Sequence, residues 1–260
     1  MTFMPPRGVL AELCAGARAR TDEARRHVLP VAPKRARFGL SAALARAGRF
    51  PLICEIKRAS PSAGILRAGL AVAEQARAYD AGGAAAISVL TEPSRFMGSL
   101  GDLASVRAAV DLPILRKDFV VDPWMVDEAA AHGADAVLLI AAALPPDEIL
   151  ACAERADALG LDSLLELTFE RDLEVLPLRA WPLVGINTRD LETLEMHEGR
   201  FGELVSAVRA PGRIVVAESG VRDETVLSAR RREGAQAALI GEALVRAADP
   251  ASLVQAWSAP

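Results

Sequence analysis

The chain has 260 residues, 52% of them hydrophobic, with a mean hydropathy of +0.23, so it can bury a substantial core and is too apolar to be disordered. A formal charge of -4 and an isoelectric point near 5.6 argue against a general nucleic-acid binder, which is normally basic, yet allow a local cluster of cations around a small anion. Cys14, Cys54 and Cys152 are scattered and form no CxxC, and His27, His132 and His197 stand apart, so no disulfide framework, no metal and a reducing cytoplasm are expected.

The opening stretch, MTFMPPRGVLAELCAGARAR, lacks a continuous apolar core behind its basic residue and does not read as a signal peptide. Residues 8–21 and 39–48 carry apolar side chains at helical spacing, with Leu10, Leu13 and Ala17 on one face and Leu40, Ala43 and Leu44 on another. These helices are expected to form an extension, residues 1–50, packed on a single domain that spans residues 1–260.

From residue 51 one unit recurs: a short β-rich run, a polar loop and a helical stretch. The runs are 51–57, 84–90, 112–117, 134–140, 161–167, 182–187, 213–219 and 236–241. Most are continuously apolar, as parallel strands covered by helices are. The longest apolar run, 136–144, is too short to span a bilayer, so no membrane association is expected. Helical stretches between the runs tend to end in glycine, where a C-cap is favoured, and His132 before Gly133 reads as a capping cation. Proline stands at or near helix starts in the DPW and LPPDE segments. Strict alternation predicts an α/β fold, a (β/α)8 TIM barrel, which typically takes about 250 residues. An open doubly wound sheet is the alternative, but no GxGxxG follows the first strand.

In such barrels the side chains near the C-terminal strand ends line the active site. Successive strand residues alternate faces, so Glu55 and Lys57 in CEIKRASPSAG point one way, with Ile53 below them, while Cys54 and Ile56 point the other. The same alternation places Leu115, Lys117 and Phe119 inside on the third strand and Leu164 and Glu166 on the fifth, leaving Asp118 outside as a structural residue. The sixth strand brings Asn187 with Arg189 beyond it, and the seventh brings Glu218. Apolar residues thus fill the lower barrel and charge appears at its mouth. A plain ion pair would explain Glu55 and Lys57 alone. It does not explain five strands converging on three cations, three carboxylates and an amide, because burying charge for stability is unfavourable. After the seventh and eighth strands, AESG at 217–220 and LIGEAL at 239–244 suit a phosphate: Gly220 and Gly241 admit close backbone approach, Ser219 adds a hydroxyl, and Glu242 offers only its N–H. The small-residue loop RASPSAG, 58–64, reads as a mobile loop over the site, or as a rigid turn set by Pro61.

In order and spacing, EIKRASPS, ISVLTE, ILRKDF, GADAVLLIAAAL, GINTRDL, AESG and LIGEAL resemble the indole-3-glycerol phosphate synthase family over residues 50 to 245. The resemblance implies ring closure, decarboxylation and dehydration of 1-(2-carboxyphenylamino)-1-deoxyribulose 5-phosphate, with no cofactor and no metal. It implies Lys117 as general acid on the ribulose carbonyl and Lys57 as its assistant near the phosphate. Glu166 would serve acid–base steps around loss of the hydroxyl, with Glu55 nearby, and Asn187 and Glu218 would orient substrate and side chains. Arg189 would face the substrate carboxylate and Phe119 its aromatic ring; Ser60 and Leu239 match substrate positions, and Ser219, Gly220, Gly241 and Glu242 phosphate positions. The chain departs from the family pattern at Ala63, where lysine is usual, at Met97, where glycine is usual, and at Thr168, near a common histidine. These departures leave room for a paralogue acting on a substituted ring. A phosphoribosylanthranilate isomerase would call for a reactive cysteine ending the first strand, whereas Cys54 faces away. A non-catalytic phosphate-ligand binder would not need Lys57, Lys117 and Glu166 together.

Overall fold

The computed structural model describes residues 3–33 and 36–259. Eight parallel strands close into a barrel: β1 (Leu52–Ile56), β2 (Ala86–Leu90), β3 (Ile114–Lys117), β4 (Ala136–Ile140), β5 (Asp162–Leu167), β6 (Leu183–Asn187), β7 (Ile214–Glu218) and β8 (Ala237–Ile240). Each pairs with its neighbour in the chain, and β8 returns to β1 through Leu52 opposite Ala238 and Cys54 opposite Ile240. All eight β-rich runs of the sequence are strands of this barrel, and closure removes the open-sheet alternative along with its unpaired edges.

The continuous apolar runs follow from burial on both faces. In β4 every residue from Ala136 to Ile140 is buried, alternately toward the barrel interior and toward the helices outside. Helices Val72–Ala81, Leu100–Ala109, Pro123–Ala131, Pro146–Ala158, Arg200–Val208 and Glu224–Glu233 form the outer ring. Gly133, Gly160 and Gly234 take positive φ just past their helices, the left-handed position that glycine adopts without a Cβ clash. Pro123 and Pro146 stand at the first helical positions, where a missing N–H costs nothing. His132 is the C-cap of its helix, its ring Nδ1 2.8 Å from the Glu128 carbonyl. After β5 the crossover contracts to a 3-10 helix, Glu170–Leu178, which contains Pro177.

The N-terminal helices cover opposite ends. Gly8–Ala24 buries Leu10, Leu13, Cys14 and Ala17 in the same apolar core as the barrel. Leu40–Arg46 closes the base, with Leu40 and Leu44 fully or almost fully buried and Ala43 half-buried. Its N-cap, Gly39, has no side chain to offer; Asp162 at the root of β5 replaces it, accepting from the Ser41 N–H at 2.8 Å and the Ser41 hydroxyl at 2.9 Å.

Candidate active site

The strand ends converge on a cavity of about 490 Å³ at the C-terminal mouth. Every residue expected there lines it: Glu55, Lys57, Ser60, Lys117, Phe119, Glu166, Asn187, Arg189, Glu218, Ser219, Gly220, Leu239, Gly241 and Glu242. Period-two alternation sets this arrangement. Glu55 belongs to β1 and Lys57 lies one residue past it, while Lys117, Asn187 and Glu218 are the last residues of β3, β6 and β7.

Two ionic clusters face each other. Lys57 Nζ lies 2.5 Å from Glu55 Oε1. Lys117 Nζ lies 3.2 Å from Glu166 Oε2 and 3.5 Å from Glu218 Oε2. Asn187 Nδ2 donates to Glu166 Oε1 at 2.9 Å, and Asn187 Oδ1 accepts from the Arg189 N–H at 3.0 Å, which fixes the amide orientation. The balance of influences on Lys117 is settled by the carboxylates: burial disfavours the ammonium, but Glu166, Glu218 and Glu55 outweigh it and raise its pKa above the ordinary lysine range.

Glu166 and Glu218 are fully buried neighbours with opposite fates. Burial penalises the Glu166 carboxylate, yet Lys117 and Asn187 overcome this and hold its pKa below the usual carboxylate value. For Glu218 burial dominates, the Glu166 charge adds to it, and the pKa rises well above the ordinary value. Taken as a carboxylate, Glu218 finds no hydrogen-bond donor for either oxygen, only the longer ion pair with Lys117. A proton on Glu218 resolves this, because it becomes a donor to Glu166. The two shifts run in opposite directions, so of the pair Glu218 is the one that takes up a proton first.

Two glycines make these clusters possible. A Cβ on Gly185, opposite Glu166 in the sheet, would overlap Glu218 Oε1, so the bare backbone of β6 lets the Glu218 side chain lie across it. A Cβ on Gly241 would overlap Glu55 Oε1 and sit 2.8 Å from Lys57 Nζ. Gly241 thus makes room for an ion pair, a second use beside the close anion approach expected of it. Gly185 carried no such expectation; a glycine inside an otherwise apolar strand run is the signal that marks it.

Ser219 and Gly220 both take positive φ, 54° and 73°, turning the backbone sharply after β7. The Glu242 side chain is half exposed and pairs with Arg246 Nε at 3.0 Å. Arg246, which also lines the cavity, is a cation that the sequence reading passed over. The 58–64 loop has structure of its own: Ala59–Ser60 pairs with Gly64–Ile65, the Ala63 N–H donates to Ser60 Oγ at 3.2 Å, and Arg58 clasps Asp102 at 2.6 and 2.8 Å. Met97, at the C-cap of helix Pro93–Phe96, adopts the left-handed conformation, φ 56°, that glycine would take without strain.

The apolar wall was the other omission. Val9 and Leu13 of the N-terminal helix, Phe96, and Leu191, Leu194 and Met196 from the loop after β6 all line the cavity. Three large apolar residues within the polar segment TRDLETLEMHEG were the available sign. Cys54 faces the helices, fully buried, and burial pushes its thiol above the ordinary range. Among the described residues no three His, Cys, Asp or Glu side chains gather as metal ligands.

A family model described as indole-3-glycerol phosphate synthase matches residues 14–256. The chain belongs to the indole-3-glycerol phosphate synthase family. It is 46% identical to indole-3-glycerol phosphate synthase 1 of Streptomyces coelicolor, over 95% of this chain and 90% of that one. It is 50% identical to the indole-3-glycerol phosphate synthase of Nocardioides sp., covering 81% and 80%, and 43% identical to that of Mycobacterium ulcerans, covering 96% and 94%. Among solved structures, thiamine phosphate pyrophosphorylase from Pyrococcus furiosus superposes with a TM-score of 0.58 at 18% identity, over 79% of this chain and 92% of that one, a likeness of fold. Membership agrees with the order of strand-end residues in this indole-3-glycerol phosphate synthase family chain, from Glu55 in β1 to Gly241 after β8. Among the described residues no helix is long and apolar enough to cross a membrane.

Proposed function

We propose that the chain catalyses the reaction of its family, converting 1-(2-carboxyphenylamino)-1-deoxyribulose 5-phosphate to indole-3-glycerol phosphate with loss of carbon dioxide and water. The observation that carries this reading is Lys117 Nζ held between the Glu166 and Glu218 carboxyls, 3.2 and 3.5 Å away, inside a cavity with one apolar wall. Ring closure turns a ketone oxygen into an alkoxide, which needs a positioned proton donor. An ammonium fully charged at neutral pH supplies that proton and stabilises the developing charge. Lys57 assists from the opposite cluster, with Glu55 holding it.

Loss of the carboxylate as carbon dioxide leaves an electron-rich ring that expels the former carbonyl oxygen as water. That departure needs an acid for the hydroxyl and a base for the ring proton. Two carboxyl groups whose pKa values are driven apart provide both: protonated Glu218 is the donor and ionised Glu166, oriented by Asn187, the acceptor. Phe119 and Leu239 flank the aromatic ring. Arg189, with no ion pair among the described residues, meets the ring carboxylate until it leaves. Ser60 and the backbone around Ser219, Gly220, Gly241 and Glu242 take the phosphate. The N-terminal helices share the core of the barrel, and the whole chain is read as one catalytic unit working in a reducing cytoplasm, where Cys14, Cys54 and Cys152 remain free and buried.

The test is a fluorescence assay of indole formation from the carboxyphenylamino-deoxyribulose phosphate. Wild-type protein should turn over, and Lys117→Ala should lose roughly 10²–10⁴-fold in kcat, the range for removal of a general acid, while still binding the substrate. No turnover by the wild-type protein, with the substrate bound, would overturn the reading in favour of a binder or a paralogue with another substrate.

A further inference from the structure

Outside the reacting cluster, two more carboxylates are buried beside the mouth: Glu92 is 0% and Asp118 2% exposed. Each holds an aromatic residue through the backbone. Glu92 caps the four-residue helix Pro93–Phe96, accepting from the N–H groups of Ser94, Arg95 and Phe96 at 2.9, 2.7 and 3.2 Å. Asp118 follows Lys117 directly; its Oδ1 accepts from the Phe119 N–H at 2.8 Å and its Oδ2 from the Thr91 hydroxyl at 2.7 Å. The two rings so fixed, Phe96 and Phe119, pack with centroids 6.4 Å apart at 40° and both line the cavity.

One side chain touches both carboxylates. Arg20, on helix Gly8–Ala24, donates to Asp118 Oδ1 at 2.9 Å and reaches Glu92 Oε1 at 3.6 Å. The only other cation recorded against this group among the described residues is Arg116, which it shares with Glu128, 3.2 Å from Asp118 and 2.8 Å from Glu128. Three buried carboxylates thus face two guanidiniums. Without Arg20 a single guanidinium would face three buried carboxylates, a net charge that their neutral donors offset only in part. The other ion pairs that tie this helix and its C-cap to distant parts of the chain among the described residues, Arg18 with Glu148, Arg25 with Asp122 and Glu12 with Arg95, are each substantially exposed, and such pairs contribute little.

We propose that Arg20 is a positioning residue for the ring-binding wall: by holding Glu92 and Asp118 together it sets Phe96 against Phe119. The inference rests on the assignment of Phe119 and Lys117 to the substrate site. It differs from a mere anchoring role for the helix, because the effect of Arg20 must pass through Phe119.

The test is a double-mutant cycle in kcat and KM for the carboxyphenylamino-deoxyribulose phosphate, using Arg20→Met, Phe119→Leu and the two combined, with near-UV circular dichroism as a check on folding. Arg20→Met should lower kcat/KM roughly ten- to hundredfold, mainly through KM, as displacement of a positioned group does. Arg20→Lys should recover part of that loss. In the Phe119→Leu background the added Arg20→Met should cost about twofold or less, the sign of a shared route. Native kinetics in a folded Arg20→Met, or the same fold-loss in both backgrounds, would overturn the proposal and leave Arg20 as an anchor only. Should Arg20→Met fail to fold, Arg20→Gln takes its place in the same cycle. Unchanged kinetics in Phe119→Leu alone would instead overturn the assignment of the cavity itself.

Discussion

Glu218 shows how much of a residue's chemistry lies outside its identity. Its carboxyl carries a raised pKa because it is buried beside Glu166, so the folded state binds a proton that the unfolded chain releases near the ordinary value of 4.5. For a group raised on folding, the stabilising contribution is complete below the unfolded value and is lost as pH climbs through the folded one. At neutral pH and above, Glu218 therefore weakens the fold. Glu218→Gln, which keeps the shape of the protonated form, should raise the melting temperature at pH 8 by about 2–4 °C for each kcal/mol relieved, and should leave it unchanged at pH 4. Calorimetry at the two pH values checks this; an equal gain at both would mean that packing, not titration, is responsible. The same variant should lose turnover. Period two sufficed to place Glu55, Lys117, Glu166 and Glu218 at one mouth. Their protonation was not legible, since it depends on sub-ångström differences in which carboxylate Lys117 and Asn187 reach first.

At the scale of the elements, β6 works as much by what it lacks as by what it carries. Gly185 leaves the space through which Glu218, from β7, approaches Glu166, from β5. Gly185→Ala should displace that carboxyl, cost about 1–3 kcal/mol by overpacking, and lower kcat with little change in KM. Urea unfolding and steady-state kinetics measure the two effects; a stable, fully active variant would show that Glu218 tolerates another position. The strands and most helices were legible because continuous apolar runs, proline starts and glycine stops obey local rules. The apolar wall of Leu191, Leu194 and Met196 was not, because these residues belong to a loop whose course is set by contacts such as the Asp190 N–H to the Glu195 carbonyl, which have no period. The place of helix Gly8–Ala24 at the mouth escaped for a similar reason: its spacing showed which face is buried, and packing on the barrel was expected, but not that Val9 and Leu13 line the cavity.

Across the whole molecule, the two ends of the barrel divide their labour. The mouth holds the charges that disfavour folding, while the base is closed by helix Leu40–Arg46 and its borrowed cap, Asp162. Asp162→Ala should cost about 0.5–2 kcal/mol, the value of an N-cap, and leave kcat/KM unchanged. A melting curve beside the fluorescence assay decides this; lost activity at unchanged stability would mean that the base communicates with the mouth.

The helix at the front of the chain also has a history in time. The Arg7 N–H donates to the Glu192 carboxylate across 185 positions of sequence, and Arg20 meets Asp118 across 98. Synthesised ahead of the barrel strands, this helix must wait through some 185 further residues before the Glu192 carboxylate exists. Until then its apolar face has no permanent home, so a segment synthesised ahead of the barrel is among the last to find its place, and a stalled chain would expose it to whatever binds unfolded protein.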